Sequence, residues 1–435
     1  MDISVMEILA ARDKRAATQR RLLDTFGKPL ICFTMNIAGP VKYSPAILRG
    51  FHLGKQLLEG QLEGILHFEE SLCPTGCEAF YVVDAPAKEL KQLCVMIEDS
   101  APVCRLFDMD VLDEGGNKLS RQALGLPGRT CLLCKEPAHV CSSTRAHTLA
   151  QLQEETARLL ETANEHTYIA SLAYQALIRE VLTTPKPGLV DRANSGAHRD
   201  MELLTFFASA AALRPYFYEA ARIGSLGLPP RDTFARLRPA GLSAEKAMLA
   251  ATGGVNTHKG AIFTMGLLCA AAARQKETAA IVKECAAMTE GIVKQDLGSI
   301  TEATAQTAGQ RLYARYGITG IRGQAETGFP AVKYVGLPVL RQGLAKGLDW
   351  NDAGCAALLH ILCATEDTNL IARSDLATAR EVTAHVAAIL EDTPFPAREV
   401  PEALDREFIE KNLSPGGSAD LLAATYFLHF LNSTK

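Results

Sequence analysis

The side chains able to do chemistry are gathered in one acidic pair, one cysteine-rich segment and five loops broken by glycine and proline. Asp108 and Asp110 stand at i and i+2 in RLFDMDV, a spacing that puts both carboxylates on one face of a strand. Such a pair suits Mg²⁺, which takes one or two carboxylates and completes its shell with phosphate oxygens and water. A solvated strand face is the simpler alternative. Arg105 is near enough in sequence to neutralise the pair or to hold a phosphate. Cys131, Cys134, Cys141 and His147 follow as C-x2-C-x6-C-x5-H, four donors of the kind that hold tetrahedral zinc, against the alternative of plain reduced thiols. Cys73 and Cys77 read as incidental.

The five loops are TPKPGLVDRANSGAHRDM (184–201), ATGGVNTHKGAIF (251–263), GIRGQAETGFP (320–330), EDTNLIARSD (366–375) and NLSPGGSADLLA (412–423). In the second, two glycines and a short polar stretch lead into an apolar helix, where backbone N–H groups and the helix dipole meet an anion. Lys259 adds a charge there, and Asn256 and His258 add directional hydrogen bonds. SPGGSADLLA repeats the pattern, with Ser418 placed to cap and Asp420 in the first turn. Capping and turn chemistry alone account for any single loop. Five in one chain, with His198 between Asp191 and Asp200, point to a binding site.

The elements that must position these groups differ between the two parts of the chain. Up to about residue 150, strand-length runs (the apolar run that Pro29 starts in PLICFTMNIAGP and Gly39-Pro40 ends, then 79–86 and 104–113) alternate with helices (5–26, 45–59, 87–98), which predicts an α+β fold, a mixed sheet with helices. From Thr148 on, helical spacing dominates (148–183, 200–223, 243–251, 260–274, 278–295, 301–316, 350–365, 375–391, 401–412, 419–432), which predicts an all-α fold. The boundary is expected near 147–166, with domains over 1–155 and 156–435. A length of 435 residues agrees with more than one domain, at ~150 residues each.

Lys plus Arg number 45 against 49 Asp plus Glu, a net charge of −4, so no global basic surplus points to nucleic acid or an anionic membrane. Eight of the twelve cysteines lie in the first 150 residues. The N-terminus lacks the apolar core and cleavage site of a signal peptide, so a cytoplasmic setting with reduced thiols is expected. The longest apolar run, Gly260 to Ala273, is shorter than the ~20 residues that span a bilayer. It reads as a buried helix.

The motifs ARDKRAATQ, GPVKYSP, RLFDMDVLDEGG and GRTCLLCKEPAHVC, ending at His147, resemble holo-citrate lyase synthase over about residues 5–150. That resemblance implies transfer of a phosphoribosyl-dephospho-CoA group onto a serine of the apo acyl carrier protein of citrate lyase, with pyrophosphate leaving. Asp108 and Asp110 would then hold Mg²⁺, and Arg12, Arg15, Lys42, Arg49, Arg105 and Arg129 are candidates for the triphosphate. PKPGLVDRANSGAHRDM, GGVNTHKGAIF, GIRGQAETGFP, DTN and KNLSPGGSADLL are similar to triphosphoribosyl-dephospho-CoA synthase over about 165–432. That likeness implies that ATP and 3′-dephospho-CoA give 2′-(5″-triphosphoribosyl)-3′-dephospho-CoA and adenine.

Breaking an N-glycosidic bond calls for a carboxylate near the cationic ribose carbon, an acid near adenine, and Mg²⁺ with cations on the triphosphate. Asp191, Asp200, Glu326 and Asp367 form the pool for metal ligation and general base, with Asp200 and Asp367 foremost for Mg²⁺. Lys186, Lys259 and Arg373 would face phosphates; Asn256, His258, Asn369 and Asp420 would contact substrate, and His198 would join the catalytic set. Gln324 stands where the family pattern has an acid, and the segment after DTN lacks the family's glycine pair. Two other readings compete: a helical Mg²⁺-dependent ribosyl hydrolase, and a zinc-binding interaction module on a helical scaffold.

Overall fold

The computed structural model describes residues 5–59, 61–134 and 136–433. It forms two compact units, one ending at Glu165 and the other beginning at His166. The first contains α1 (Val5–Phe26), β1 (Leu30–Met35), α2 (Pro45–Glu59), β2 (Ile65–Cys73), β3 (Gly76–Val83), α3 (Ala87–Asp99), β4 (Phe107–Leu112) and α4 (Ala138–Thr144). The division falls inside the long helix α5 (Leu149–Leu182).

The strands form one sheet in the order β2-β3-β1-β4, with every neighbouring pair antiparallel. This corrects the expected mixed sheet. The missing piece is β2, which hydrophobicity did not announce and which makes a tight hairpin with β3, a connection open only to antiparallel strands. Residues 104–106, expected to open the last strand, instead lie in a 3-10 turn over Val103–Leu106. Alternation then sorts the sheet's faces. Leu30, Cys32, Phe80 and Val82 pack with Leu22, Leu23 and Phe26 of α1. On the opposite face Phe33 stacks on Phe51 of α2 at 4.9 Å and meets Phe107 edge-on at 5.4 Å.

The second unit is all-α: no strand occurs there among the described residues. After α5 come α6 (Leu203–Gly224), α7 (Pro230–Ala251), α8 (Lys259–Ala272), α9 (Thr278–Met288), α10 (Ile292–Leu297), α11 (Ala308–Tyr316), α12 (Gly320–Glu326), α13 (Leu337–Ala345), α14 (Trp350–Cys363), α15 (Thr368–Arg373), α16 (Leu376–Asp392), α17 (Glu399–Glu410) and α18 (Gly416–Ser433). Helix α8 is buried along almost its whole length and is packed by α6, α7, α9 and α18. A helix apolar on all sides belongs in a core. Among the described residues no helix is long and apolar enough to cross a membrane.

Several helices depart from their expected limits. The single helix expected over 278–295 is split in two: α9 closes at its C-cap Thr289, and Gly291, at φ 79°, caps the start of α10. Helix α7 runs through Pro239, a residue that sequence reasoning takes as a breaker. Helices α12 and α15 fall in segments read as loops, and α13, entered by one π turn over Ala331–Gly336, was not expected.

Close packing of α6 on α8 depends on Gly224, where a Cβ would lie 2.1 Å from the Ala270 carbonyl oxygen. Backbone at that distance cannot step aside as a side chain would. Gly224→Ala is therefore expected to cost about 1–3 kcal/mol despite alanine's better helix propensity. The check is the midpoint of helix loss on chemical denaturation; an unchanged midpoint would refute the packing account.

Candidate active sites

In the helical unit the five loops meet around a cavity of about 850 Å³. The 184–201 loop is tied together by Asp191, which accepts from Thr184 Oγ1 (2.6 Å), Lys186 N (2.9 Å), Ala193 N (2.6 Å) and Asn194 N (3.2 Å). Asp405 adds a second tie, accepting from Gly188 N and Asn194 Nδ2 at 2.9 and 2.8 Å. Gly188 has φ +69°, and a Cβ there would sit 2.1 Å from the Leu413 carbonyl oxygen. Only glycine fits.

Held this way, the loop presents Lys186 and His198 to the cavity. Lys186 is 1% exposed and ion-pairs with the buried Glu180. His198 lies between Arg373, 3.0 Å from Nδ1, and Ser414, 2.9 Å from Nε2. Arg373 also donates to the Ala197 carbonyl and to Asn412 Oδ1. Burial first, then the Arg373 charge, lowers the His198 pKa.

The 251–263 loop turns through Gly253 and Gly254, both at positive φ, and starts α8 at the cavity. His258 is 3% exposed; Ser209 Oγ lies 2.6 Å from its Nδ1, and Thr257 Oγ1 donates to the same serine at 2.7 Å. Its Nε2 has no hydrogen-bond partner among the described residues. Burial and the nearby Lys186 charge push its pKa down to about 3, so the ring enters neutral chemistry as an acceptor or donor without charge. Lys259 lines the cavity but pairs with Glu245, and Asn256 Oδ1 receives Lys259 N at 3.3 Å.

The remaining loops bring acids. Asp367 caps α15 by accepting from Asn369 N (2.9 Å) and Leu370 N (3.1 Å), and accepts from Ser418 N (2.6 Å) and Ser418 Oγ (2.8 Å) at the start of α18. Glu326 accepts from Gly291 N at 2.7 Å and Val293 N at 3.3 Å. Asp420 rests on Gly260, where a Cβ would be 2.0 Å from its Oδ2. Its pKa lies well above the usual carboxylate range because of burial and the neighbouring Glu180 and Asp367 charges.

Thus Lys186, His198, Asn256, His258, Lys259, Glu326, Asp367, Asn369, Arg373 and Asp420 line one cavity, whereas Asp191 and Asp200 do not. Asp191 holds the loop, and Asp200 is exposed. Glu180 was missed by sequence reasoning. The only signal it offered was an acid in the last apolar turn before Thr-Thr-Pro-Lys.

In the first unit Asp108 and Asp110 do share a face of β4, opposite Thr34 and Cys32 of β1, while Phe107, Met109 and Val111 are buried on the other. Glu78 lies across from Thr34 on β3 and pairs with Arg15 of α1. Asp110 pairs with Lys118 at 2.6 Å and Asp108 approaches Arg129 at 3.5 Å. Burial, then the Asp110 charge, raises the Asp108 pKa. Arg129 also donates to the Phe107 carbonyl at 2.7 Å and pairs with buried Glu98. Arg105 is turned away from the aspartates, donating to the carbonyls of Thr130, Cys131 and Leu132. Arg49 bonds Asn164, and Lys42 bonds the Ile37 carbonyl. Arg12 lies close enough to Lys42 for its charge to lower that lysine's pKa, after burial.

Two predictions follow from these roles. Asp191→Ala strands buried donors and is expected to cost about 2–3 kcal/mol, whereas Asp200→Ala stays within ~0.5 kcal/mol; denaturation midpoints check both. Buried neutral His258 and His166, pushed down to about 3 and about 4, bind a proton more readily unfolded than folded. Their stabilisation is complete above about pH 6.5 and is lost as pH falls through that value, at about 1.4 kcal/mol per pH unit per ring. Replacing either should flatten the acid limb of the stability curve.

Comparison with known proteins places each unit. Residues 166–435 match the family model of ATP:dephospho-CoA triphosphoribosyl transferase, and residues 3–163 that of apo-citrate lyase phosphoribosyl-dephospho-CoA transferase. Protein CitXG of Haemophilus influenzae is 36% identical, covering 98% of this chain and 96% of that protein. Protein CitXG of Leuconostoc mesenteroides subsp. cremoris is 35% identical, covering 98% and 97%. A probable 2-(5''-triphosphoribosyl)-3'-dephosphocoenzyme-A synthase of Albidiferax ferrireducens is 43% identical over 60% of this chain and 89% of its own length. With both models matched in order and a fused relative aligned from end to end, the chain belongs to the CitXG family.

Proposed function

We propose that the protein makes and attaches the prosthetic group of citrate lyase, one step in each unit. The helical unit joins ATP and 3′-dephospho-CoA. The 2′-hydroxyl oxygen bonds to the ribose C1′ of ATP, the N-glycosidic bond breaks, and adenine leaves with the proton. The α+β unit then transfers phosphoribosyl-dephospho-CoA to a carrier-protein serine, whose oxygen bonds to phosphorus as pyrophosphate departs. The observation that carries this reading is the meeting of all five loops around one cavity in a chain matched by both families. Neither the ribosyl hydrolase nor the interaction-module alternative finds support in those matches.

Within the cavity, Asp420 with Asp367 and Glu180 crowds three carboxylates, which raises the Asp420 pKa after burial. A hard divalent cation relieves that crowding, so these residues fit Mg²⁺, with Asp420, the carboxylate least committed to other donors, as the main ligand. When bound, the ion neutralises triphosphate charge. Glu326 presents a carboxylate suited to stabilise cationic character at C1′. Neutral His258, its Nε2 free of other partners, is placed to hydrogen-bond a substrate hydroxyl or the adenine ring. In the other unit Asp108 and Asp110 fit Mg²⁺ on the same ground, the like-charge crowding on one strand face. The reading places the protein in the cytoplasm, with the apo carrier protein and nucleotides as its partners and neither nucleic acid nor membrane.

Mass spectrometry of apo carrier protein incubated with this chain, ATP and dephospho-CoA should reveal a phosphoribosyl-dephospho-CoA adduct, with adenine appearing in step. Asp420→Asn should slow adenine release by ~10²-fold or more, and Asp108→Asn with Asp110→Asn should slow transfer from preformed precursor by a similar factor. Each change should spare the other unit's step. Adenine release that needs no dephospho-CoA would overturn the synthase reading in favour of hydrolysis.

A further inference from the structure

The donor atoms of Cys131, Cys134, Cys141 and His147 all lie within 4.8 Å of one another. Cys134 Sγ is 3.4 Å from Cys141 Sγ and 3.4 Å from His147 Nε2. A disulfide would need about 2.05 Å. The edges of a zinc tetrahedron with bonds of about 2.3 Å to sulfur and about 2.0 Å to nitrogen are roughly 3.5–3.8 Å, close to what is found.

The chain builds this cluster deliberately. Thr130 and Pro137 bridge the base of the CxxC turn, Cys131 N donates to the Glu136 carbonyl at 2.7 Å, and the Cys131 sulfur faces the backbone N–H groups of Leu133 and Cys134. Cys141 lies on α4, which ends at Arg145 in the left-handed region with φ 51°. Ala146 N then bonds back to the Cys141 carbonyl at 3.1 Å, and His147 returns to Cys134. Between residues 112 and 148, Cys131 and Cys141 are the only buried residues among those described. A segment of this length without an apolar core needs another source of order.

We propose that Cys131, Cys134, Cys141 and His147 hold a structural Zn²⁺ that pins the 129–147 segment and thereby holds Arg129 beside Asp108. Three thiolates and a neutral imidazole close the coordination shell, and the thiol protons pass to solvent. Three sulfurs and one nitrogen favour zinc over magnesium or calcium, which take oxygen donors. The pin reaches the acidic strand twice: Arg105, just before β4, grips the carbonyls of the CxxC turn, and Arg129, at the mouth of the segment, bonds the Phe107 carbonyl and Glu98. Arg129 is thus a positioning residue. The metal claim is independent of the transferase reading, and the positioning claim rests on it.

The test uses the full chain purified under reducing conditions. Metal analysis should find about one zinc per chain, and X-ray absorption at the zinc edge should give three sulfurs and one nitrogen. Cys134→Ser should lose the metal while Cys73→Ser keeps it. Should the first variant fail to fold, Co²⁺ exchange into the wild-type chain replaces it, with sulfur-to-cobalt charge-transfer bands expected. Zinc removal with Mg²⁺ kept in excess should slow carrier modification by ~10-fold or more, leave adenine release unchanged, and be reversed by added zinc. Free thiols or a Cys134–Cys141 disulfide in the metal-free protein as isolated would overturn the site. Transfer unchanged by zinc removal would overturn the positioning role alone, and a failure of transfer in zinc-loaded protein would tell against the transferase reading instead.

Discussion

One buried carboxylate joins the loops that make the cavity. Asp367 accepts four hydrogen bonds, two from the first turn of its own helix and two from Ser418 at the start of α18. A carboxylate taken out of water is costly unless its lone pairs are met. Here three of the donors are N–H groups that helix ends leave without partners and the fourth is the Ser418 hydroxyl, so each side satisfies the other. The close approach sets a demand on the facing chain. A Cβ on Gly417 would lie 3.2 Å from Asp367 Oδ2, and one on Gly416 would lie 2.6 Å from Asn369 Nδ2. The glycine pair of SPGGSAD is the counterpart of the acid in DTN, whose bonded partner Ser418 is 51 residues away in sequence.

The same economy runs through the other loops and dissolves the choice between capping and catalysis that the sequence posed. Asp191 and Asp405 spend their oxygens on backbone N–H, hydroxyl and amide donors, and in doing so aim Lys186 and His198 inward. Glu326 caps the turn into α10 while facing the cavity. Turn chemistry is what makes a stable wall. The acid with few local obligations, Asp420, has its pKa raised by burial and by the neighbouring Glu180 and Asp367 charges.

Legibility in the sequence followed the range of the interactions. Helices α1, α2, α3 and α8 and the shared face of Asp108 and Asp110 rest on local periodicity, and the sequence pattern placed them well. Strand β2 escaped because its outer residues are half exposed and polar residues interrupt its alternation. Helix α13 sits between Gly336 and Gly347 with Pro338 in its first turn, a composition that reads as loop. Glu180 was hidden because an acid in an amphipathic helix looks solvated until Lys186 folds back on it. Arg105 looked like a phosphate ligand because nothing local reveals that three carbonyls, 25 to 27 residues on, claim its guanidinium. The cysteine cluster was legible by spacing, and its closeness to the acidic strand was not.

Charge sets the last constraint on the helical unit. Its substrates bring phosphate groups to a cavity whose cations are already engaged: Lys186 with Glu180, Lys259 with Glu245, and Arg373 with Ala197, Asn412 and His198. Around them stand Glu180, Asp367 and Asp420, and after burial the Glu180 and Asp367 charges raise the Asp420 pKa. Buried acids facing a polyanion repel it in a low dielectric. Binding therefore requires positive charge to arrive with the nucleotide, and the near-neutral balance of the whole chain, −4 over 435 residues, supplies no field to substitute for it. Under the proposed function, Mg²⁺ arriving with the nucleotide would relieve the crowding of acids that disfavours ATP alone, so the same three carboxylates that look hostile to a triphosphate would select for its metal complex.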